Sequence, residues 1–242
     1  MFKPNLWQIP TIERAVQADL AKRTAILQQR LEQIAGRHQA VKFASSLAVE
    51  DMVITDMIVK SAVKIAVFTL ETGRLNAETL ALMDQIEAAY PTLNLQRYFP
   101  QAQAVAQYVG QSGKDAFYDS VELRKQCCFI RKVEPLNRAL RGADGWLSGQ
   151  RREQSVTRTE LPFSERDQAR NIAKYNPIFD WSEQDVWAYI LTHNVPFNEL
   201  YHQGYPSIGC EPCTRPVKQT EDIRAGRWWW ENKDSKECGL HK

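Results

Sequence analysis

No run in this 242-residue chain is apolar over the roughly 20 positions a bilayer-spanning helix needs. The opening residues, Met1 to Gln8, also have no continuous apolar block of the kind a secretory signal carries. Excess charge of either sign is missing too: 31 Lys and Arg stand against 29 Asp and Glu, for a net charge of +2. That balance excludes the electrostatic footprint of a nucleic-acid binder. There is no internal repeat and no low-complexity stretch. Cysteine is scarce, and its odd count of five excludes a closed disulfide framework. These absences predict a soluble, cytoplasmic chain with no membrane or nucleic-acid partner. They leave self-association open. The 43% hydrophobic content is enough for one sizeable core.

Read in order, the chain alternates strand and helix. Ile12, Val16, Leu20, Leu27, Leu31 and Ile34 predict an amphipathic helix over 11–34, closed by Gly36. Val41–Ala44 reads as a strand that runs into Ser45-Ser-Leu-Ala-Val-Glu-Asp51 and then an apolar helix over 52–60. Strand, small-residue turn and helix aim backbone N–H groups at an anion. An ordinary helix cap by Ser45 or Ser46 explains the same residues. A second strand over 64–69 leads through Leu70-Glu-Thr-Gly-Arg-Leu75 to a helix over 76–89. A third strand is expected over 93–99, a short helix over 101–109 and a long helix from Glu122 to Arg141. Gly145–Gly149 reads as a further strand that delivers Arg151 and Arg152, and Ser182 to Asp185 as a capping box. Arg224 and Arg227, three apart, fit one face of a helical turn. The alternation over 40–150 implies an α/β fold, a mostly parallel sheet with helices on both faces. The expected units are a helical segment over 1–36, an α/β body over 37–230 and a mobile tail over 231–242.

Chemistry concentrates in the cysteines. Cys127 and Cys128 are adjacent, and after 81 intervening residues comes Cys210-Glu-Pro-Cys213. Four thiolates suit zinc or iron–sulfur. Adjacent cysteines on a helix diverge by about 100°, which fits the separate irons of a [4Fe–4S] cluster better than one tetrahedral ion. Cys238 stands alone on a polar tail, where packing gives it no reason to be, and reads as a mobile nucleophile. Arg74, Lys132, Arg151, Arg224 and Arg227 form a basic set beside loops and cysteines, suited to phosphate or sulfate but equally to a solvated face.

These stretches, with Arg131-Lys132, Gly149-Gln-Arg-Arg-Glu-Gln154, Arg224-Ala-Gly-Arg227 and Glu237-Cys-Gly-Leu-His241, resemble the assimilatory, thioredoxin-dependent adenylyl-sulfate reductases. That group belongs to the phosphoadenylyl/adenylyl-sulfate reductases, on an adenine nucleotide α-hydrolase-like fold. The resemblance covers about 41–241. It implies that Cys127, Cys128, Cys210 and Cys213 hold a [4Fe–4S] cluster. It implies that Ser45, Ser46, Glu50, Asp51, Leu70, Thr72, Gly73 and Arg74 frame adenosine 5′-phosphosulfate. Arg151, Arg224 and Arg227 would then contact its anionic groups, Lys132 would couple cluster to sulfate, and Cys238 would attack the sulfur before thioredoxin releases sulfite. One departure is visible: Ala48 stands where the family's loop often has glycine. A reductase for the 3′-phosphorylated nucleotide and a non-enzymatic iron–sulfur redox sensor remain the alternative readings.

Overall fold

The computed structural model describes residues 5–154 and 160–231. Cys238 and the tail expected beyond Glu231 therefore lie outside the described residues.

The β-branched and aromatic segments form a six-stranded sheet in the order β3-β2-β1-β4-β6-β5. The strands are β1 (Val41–Ser45), β2 (Ile65–Leu70), β3 (Gln96–Tyr98), β4 (Gly145–Leu147), β5 (Ser164–Asp167) and β6 (Ile172–Tyr175). All neighbouring pairs are parallel except β5, which runs antiparallel along the edge against β6. Around it lie α1 (Arg14–Arg37), α2 (Val49–Lys60), α3 (Ala77–Ala89), α4 (Ala102–Ser112), α5 (Val121–Cys128), α6 (Glu134–Ala139) and α7 (Glu183–His193).

Strand alternation divides the core between two faces, because successive side chains point to opposite sides of a sheet. Val41, Phe43, Val67 and Leu147 face one way, into the large cluster that also takes Leu20, Leu27 and Leu31 of α1 and Trp187 of α7. Phe68 and Trp146, one register step away, face the other side and pack on Leu136, Ala139 and Leu140. The helix expected over 1–36 thus shares the main core.

Several local expectations are corrected. The first helix runs through Gly36 to Arg37 and stops where His38 turns extended. The third strand is trimmed to Gln96–Tyr98. The long helix from Glu122 is not continuous. It passes from α5 through a π-helical turn, Phe129–Val133, into α6. Residues 177–180 form a turn after β6, and the β5–β6 hairpin was not anticipated. The capping box at Ser182 and Asp185 is present, with both reciprocal hydrogen bonds. Among the described residues no helix is long and apolar enough to cross a membrane.

One buried carboxylate ties the helices together. Asp56 on α2 accepts from the Tyr90 hydroxyl at 3.0 Å and the Tyr189 hydroxyl at 2.5 Å, and pairs with Lys60 at 2.7 Å. Asp56→Ala strands two buried phenols without an acceptor. It should lower unfolding free energy by about 2–5 kcal/mol, read as a shift in the urea midpoint.

Candidate functional site

Parallel strands end at the same edge of a sheet. Here β1 pairs with β2 on one side and with β4 on the other, so the chain reverses direction across the sheet at β1. Such a switch point opens a crevice outside the carboxyl ends of the strands. The crevice is a cavity of about 230 Å³, lined among others by Ser45, Ser46, Glu50, Asp51, Leu70, Thr72, Lys132, Arg224 and Arg227.

The loop between β1 and α2 forms one wall. It is held from within, and neither serine caps α2: the cap position is Ala48, which makes no side-chain cap bond. Asp51 accepts from the Ser46 backbone N–H at 2.6 Å and from the Ser46 hydroxyl at 2.5 Å. The Ser45 hydroxyl accepts from the Leu47 N–H at 3.3 Å. The left-handed residue of the turn is Leu47, at φ 63°, while Ala48 sits at an ordinary −71°. The glycine missing at position 48 therefore costs this loop nothing. Gly149, in the loop after β4, packs so closely on Asp51 that an added Cβ would lie 2.0 Å from its carboxylate oxygen. Any side chain at 149 would push these two loops apart.

Lys132, Arg224 and Arg227 face the cavity, but Arg74 and Arg151 do not. Arg151 is buried and bonds Glu50 Oε1 at 2.8 Å, Glu153 at 3.1 Å and the Trp181 carbonyl at 3.2 Å. Arg74 turns to the opposite side, pairs with Asp115 at 2.7 Å and lies over the Phe117 ring. Gly73, at φ +69°, is packed against Arg131, which donates to the Thr72 carbonyl at 2.7 Å. Arg224 and Arg227 share a tight turn rather than a helix, with the Arg227 N–H on the Arg224 carbonyl at 2.9 Å.

Cys127, Cys128, Cys210 and Cys213 line one small apolar cavity of about 20 Å³, ringed by Arg74, Arg124, Arg131 and Lys132. Three of the four thiols are buried and Cys127 is half-buried. The π-helical turn directly after Cys128 shifts the helix face by one residue, a distortion frequent at functional sites. It lets the cysteines and Lys132 border the same space. Burial pushes the Cys213 thiol up to about 12 and also raises Cys127. Such thiols ionise only against a cationic centre. Four cysteine thiols at one cavity are a donor set suited to iron–sulfur or to zinc.

The two cavities adjoin. Lys132 and Trp228 border both, and Thr72 Oγ1, in the larger one, lies 3.3 Å from Cys210 Sγ. Sequence reasoning missed Trp228. It is buried at a left-handed φ of 42°, with Arg124 and Arg227 each stacked on its ring. The signal was the aromatic run directly after Arg227. Gln150 and Ser148 also line the larger cavity and were missed: Ser148 was read as part of the strand, and the arginines after Gln150 drew the ligand reading.

Asp51 gives this site a pH dependence. Burial raises its carboxyl to about 7, against the pull of the Ser46 hydrogen bonds. The folded protein therefore holds a proton that the unfolded chain has already lost between about pH 4 and 7. Stability falls as pH rises through that window. Asp51→Asn should flatten the fall, checked by urea midpoints across it.

The phosphoadenosine phosphosulfate reductase domain family matches residues 40–216. A Neisseria meningitidis serogroup A protein named adenosine 5′-phosphosulfate reductase is 64% identical over 242 residues, covering 100% of this chain and 99% of its own. A Burkholderia cepacia protein of the same name is 57% identical, covering 94% of this chain and 90% of its own. One from Allochromatium vinosum is 52% identical, with 92% and 87% covered. A crystal structure of phosphoadenylyl-sulfate reductase from Candida auris, a phosphate complex, superposes with a TM-score of 0.68 at 26% identity, covering 86% of this chain and 100% of its own. That likeness accords with the adenine nucleotide α-hydrolase-like arrangement expected for the sheet. With a family match over most of its length and full-length relatives at this identity, the chain belongs to the phosphoadenosine phosphosulfate reductase domain family.

Proposed function

We propose that this protein is an adenylyl-sulfate reductase: it reduces adenosine 5′-phosphosulfate to sulfite and AMP, in sulfate assimilation toward cysteine, with thioredoxin as reductant. The observation that most supports this reading is the shared wall. A cavity of about 230 Å³ at the strand ends adjoins a four-cysteine cavity, with Lys132 bordering both.

The sulfonucleotide is anionic. Lys132, Arg224 and Arg227 line the cavity to receive it. Cys238 is the nucleophile. Its thiolate attacks the sulfur, the S–O bond to AMP breaks, and Cys238 carries an S-sulfonate. The cations stabilise charge growing on the departing phosphate oxygen. One thioredoxin thiolate then attacks the Cys238 sulfur, freeing sulfite. Which sulfur is attacked matters: attack at Cys238 Sγ expels sulfite and leaves a mixed disulfide. The second thioredoxin thiol resolves it, returning Cys238 as a thiol and leaving thioredoxin oxidised by two electrons. Cys127, Cys128, Cys210 and Cys213 would hold a [4Fe–4S] cluster, which when bound supplies a fixed charge beside Lys132. The dithiol accounts for both electrons, so the cluster need carry none.

The 3′-phosphorylated nucleotide is a second candidate substrate, favoured by the matched family's description and by the Candida auris relative's name. The relatives at 52–64% identity favour the unphosphorylated one.

Intact mass after adenylyl sulfate, without reductant and under anaerobic conditions, should show one added SO₃ that maps to Cys238. Thioredoxin should remove it, Cys238→Ser should prevent it, and a parallel arm with the 3′-phosphorylated nucleotide should label little. No adduct from either nucleotide on iron-loaded protein would move the redox-sensor reading to the front. Lys132→Ala should keep its iron and form the adduct about 10²-fold more slowly; an unchanged rate removes Lys132 from the reaction.

A further inference from the structure

Arg124 on α5 is fully buried, and it is not part of the nucleotide cavity. Its Nε donates to Glu231 Oε1 at 2.5 Å and its Nη2 to Glu231 Oε2 at 3.0 Å. Its guanidinium lies 4.6 Å from the centroid of the Trp228 ring. It also hydrogen-bonds Cys128, the last residue of α5, directly before the π-helical turn. The Glu231 N–H in turn bonds the Trp228 carbonyl at 2.9 Å, and the Trp228 N–H bonds the Cys213 carbonyl at 3.1 Å. One guanidinium therefore touches a cysteine of the smaller cavity and the last described residue of the chain.

Stability alone is a poor reason for this pair. Desolvating two charges offsets most of their attraction, and apolar residues of like volume commonly do as well. What a bidentate buried pair gives is a fixed position and direction. The position matters because Cys238 lies seven residues beyond Glu231, a reach of about 25 Å at full extension. Trp228, stacked on Arg124, borders both cavities, so a chain rooted here keeps both within that reach.

We propose that the Arg124–Glu231 pair is a positioning device that roots the C-terminal segment on the cysteine site and so directs Cys238 to the nucleotide cavity. This rests on the reading of Cys238 as nucleophile. With the pair broken, the last fixed point moves back as far as Arg227, and the chain from it to Cys238 lengthens from seven residues to eleven. Added slack alone lowers the local concentration of the thiol by about twofold, and lost direction costs up to about a hundredfold.

Two variants test it: Glu231→Gln, and the paired Arg124→Met with Glu231→Leu, which removes both charges at similar volume. Four quantities are measured in each: iron content, AMP affinity, the single-turnover rate of SO₃ transfer to Cys238, and tryptic cleavage after Lys233 and Lys236 without nucleotide. The expected result is wild-type iron and AMP affinity, SO₃ transfer slowed about 2- to 100-fold, and faster cleavage. The proteolysis reads the rooting itself, so it still decides if wild type forms no adduct and the nucleophile reading fails. Wild-type cleavage and transfer in a variant that keeps its iron would overturn the proposal. So would loss of iron from both variants, since the pair would then serve the cysteine site and not the tail.

Discussion

The contact between Thr72 and Cys210 is what the rest of the site depends on. Thr72 follows β2 at the carboxyl edge of the sheet, and Cys210 arrives 138 residues later, yet their Oγ1 and Sγ atoms stand 3.3 Å apart. The Glu211 N–H adds a backbone bond to the Arg74 carbonyl at 2.7 Å. Together they staple the Cys210–Cys213 turn onto the loop after β2. That loop also receives Arg131 from the π-helical turn after Cys128. The same short segment, 72–74, thus borders the nucleotide cavity with Thr72 and the cysteine cavity with Arg74. A sheet edge alone would give a nucleotide pocket, and four cysteines alone would give a metal site. This segment makes them neighbours.

Much of the fold was legible in the sequence because it rests on local patterns. Val41–Ser45 and Ile65–Leu70 are short apolar runs with helical sequence after them, and both formed strands close to the expected bounds. The capping box at Ser182 needs only its own turn, and it formed as read. The errors lie where tertiary contact overrides local preference. Gly36 would end an isolated helix, but Ile34 is fully buried in the main core and α1 continues one residue past the glycine to Arg37. The π-helical turn has no sequence signature. Inside it Arg131 reaches the Thr72 carbonyl, a partner on another segment that local sequence cannot reveal. The β5–β6 hairpin is an edge feature whose polar Ser164–Asp167 strand carries no apolar alternation to reveal it.

The site residues divide in the same way. The residue types needed for anion binding can be read in a sequence, but the direction in which each cation points cannot. Arg151 and Arg74 look alike on paper to Arg224 and Arg227. In the folded chain Glu50 and Asp115 take up the first two, because each sits within reach of a carboxylate delivered by another segment. Lys132, Arg224 and Arg227 are the cations left bordering the larger cavity. A doublet such as Arg151-Arg152 therefore marks a strand end reliably and a ligand contact poorly.

That division has an electrostatic consequence. A cavity for a multiply charged anion cannot carry all of its nearby positive charge on mobile side chains, since their mutual repulsion would hold the loops apart when no anion is bound. Here the buried Arg151 is neutralised by Glu50 beneath the β1–α2 loop, while burial raises the neighbouring Asp51 carboxyl into the neutral range. The carboxylates next to the anion loop are thus either paired or readily protonated, and neither opposes an incoming anion at full strength. The loop's own N–H groups from Ser46 to Val49 are taken by Asp51, Ser45, Ser46 and Tyr201, so they hold the loop's shape and leave the attraction to the rim cations. A loop held rigid from within and a few cations at the rim suit a ligand that must be held firmly by one group and cleaved at the next.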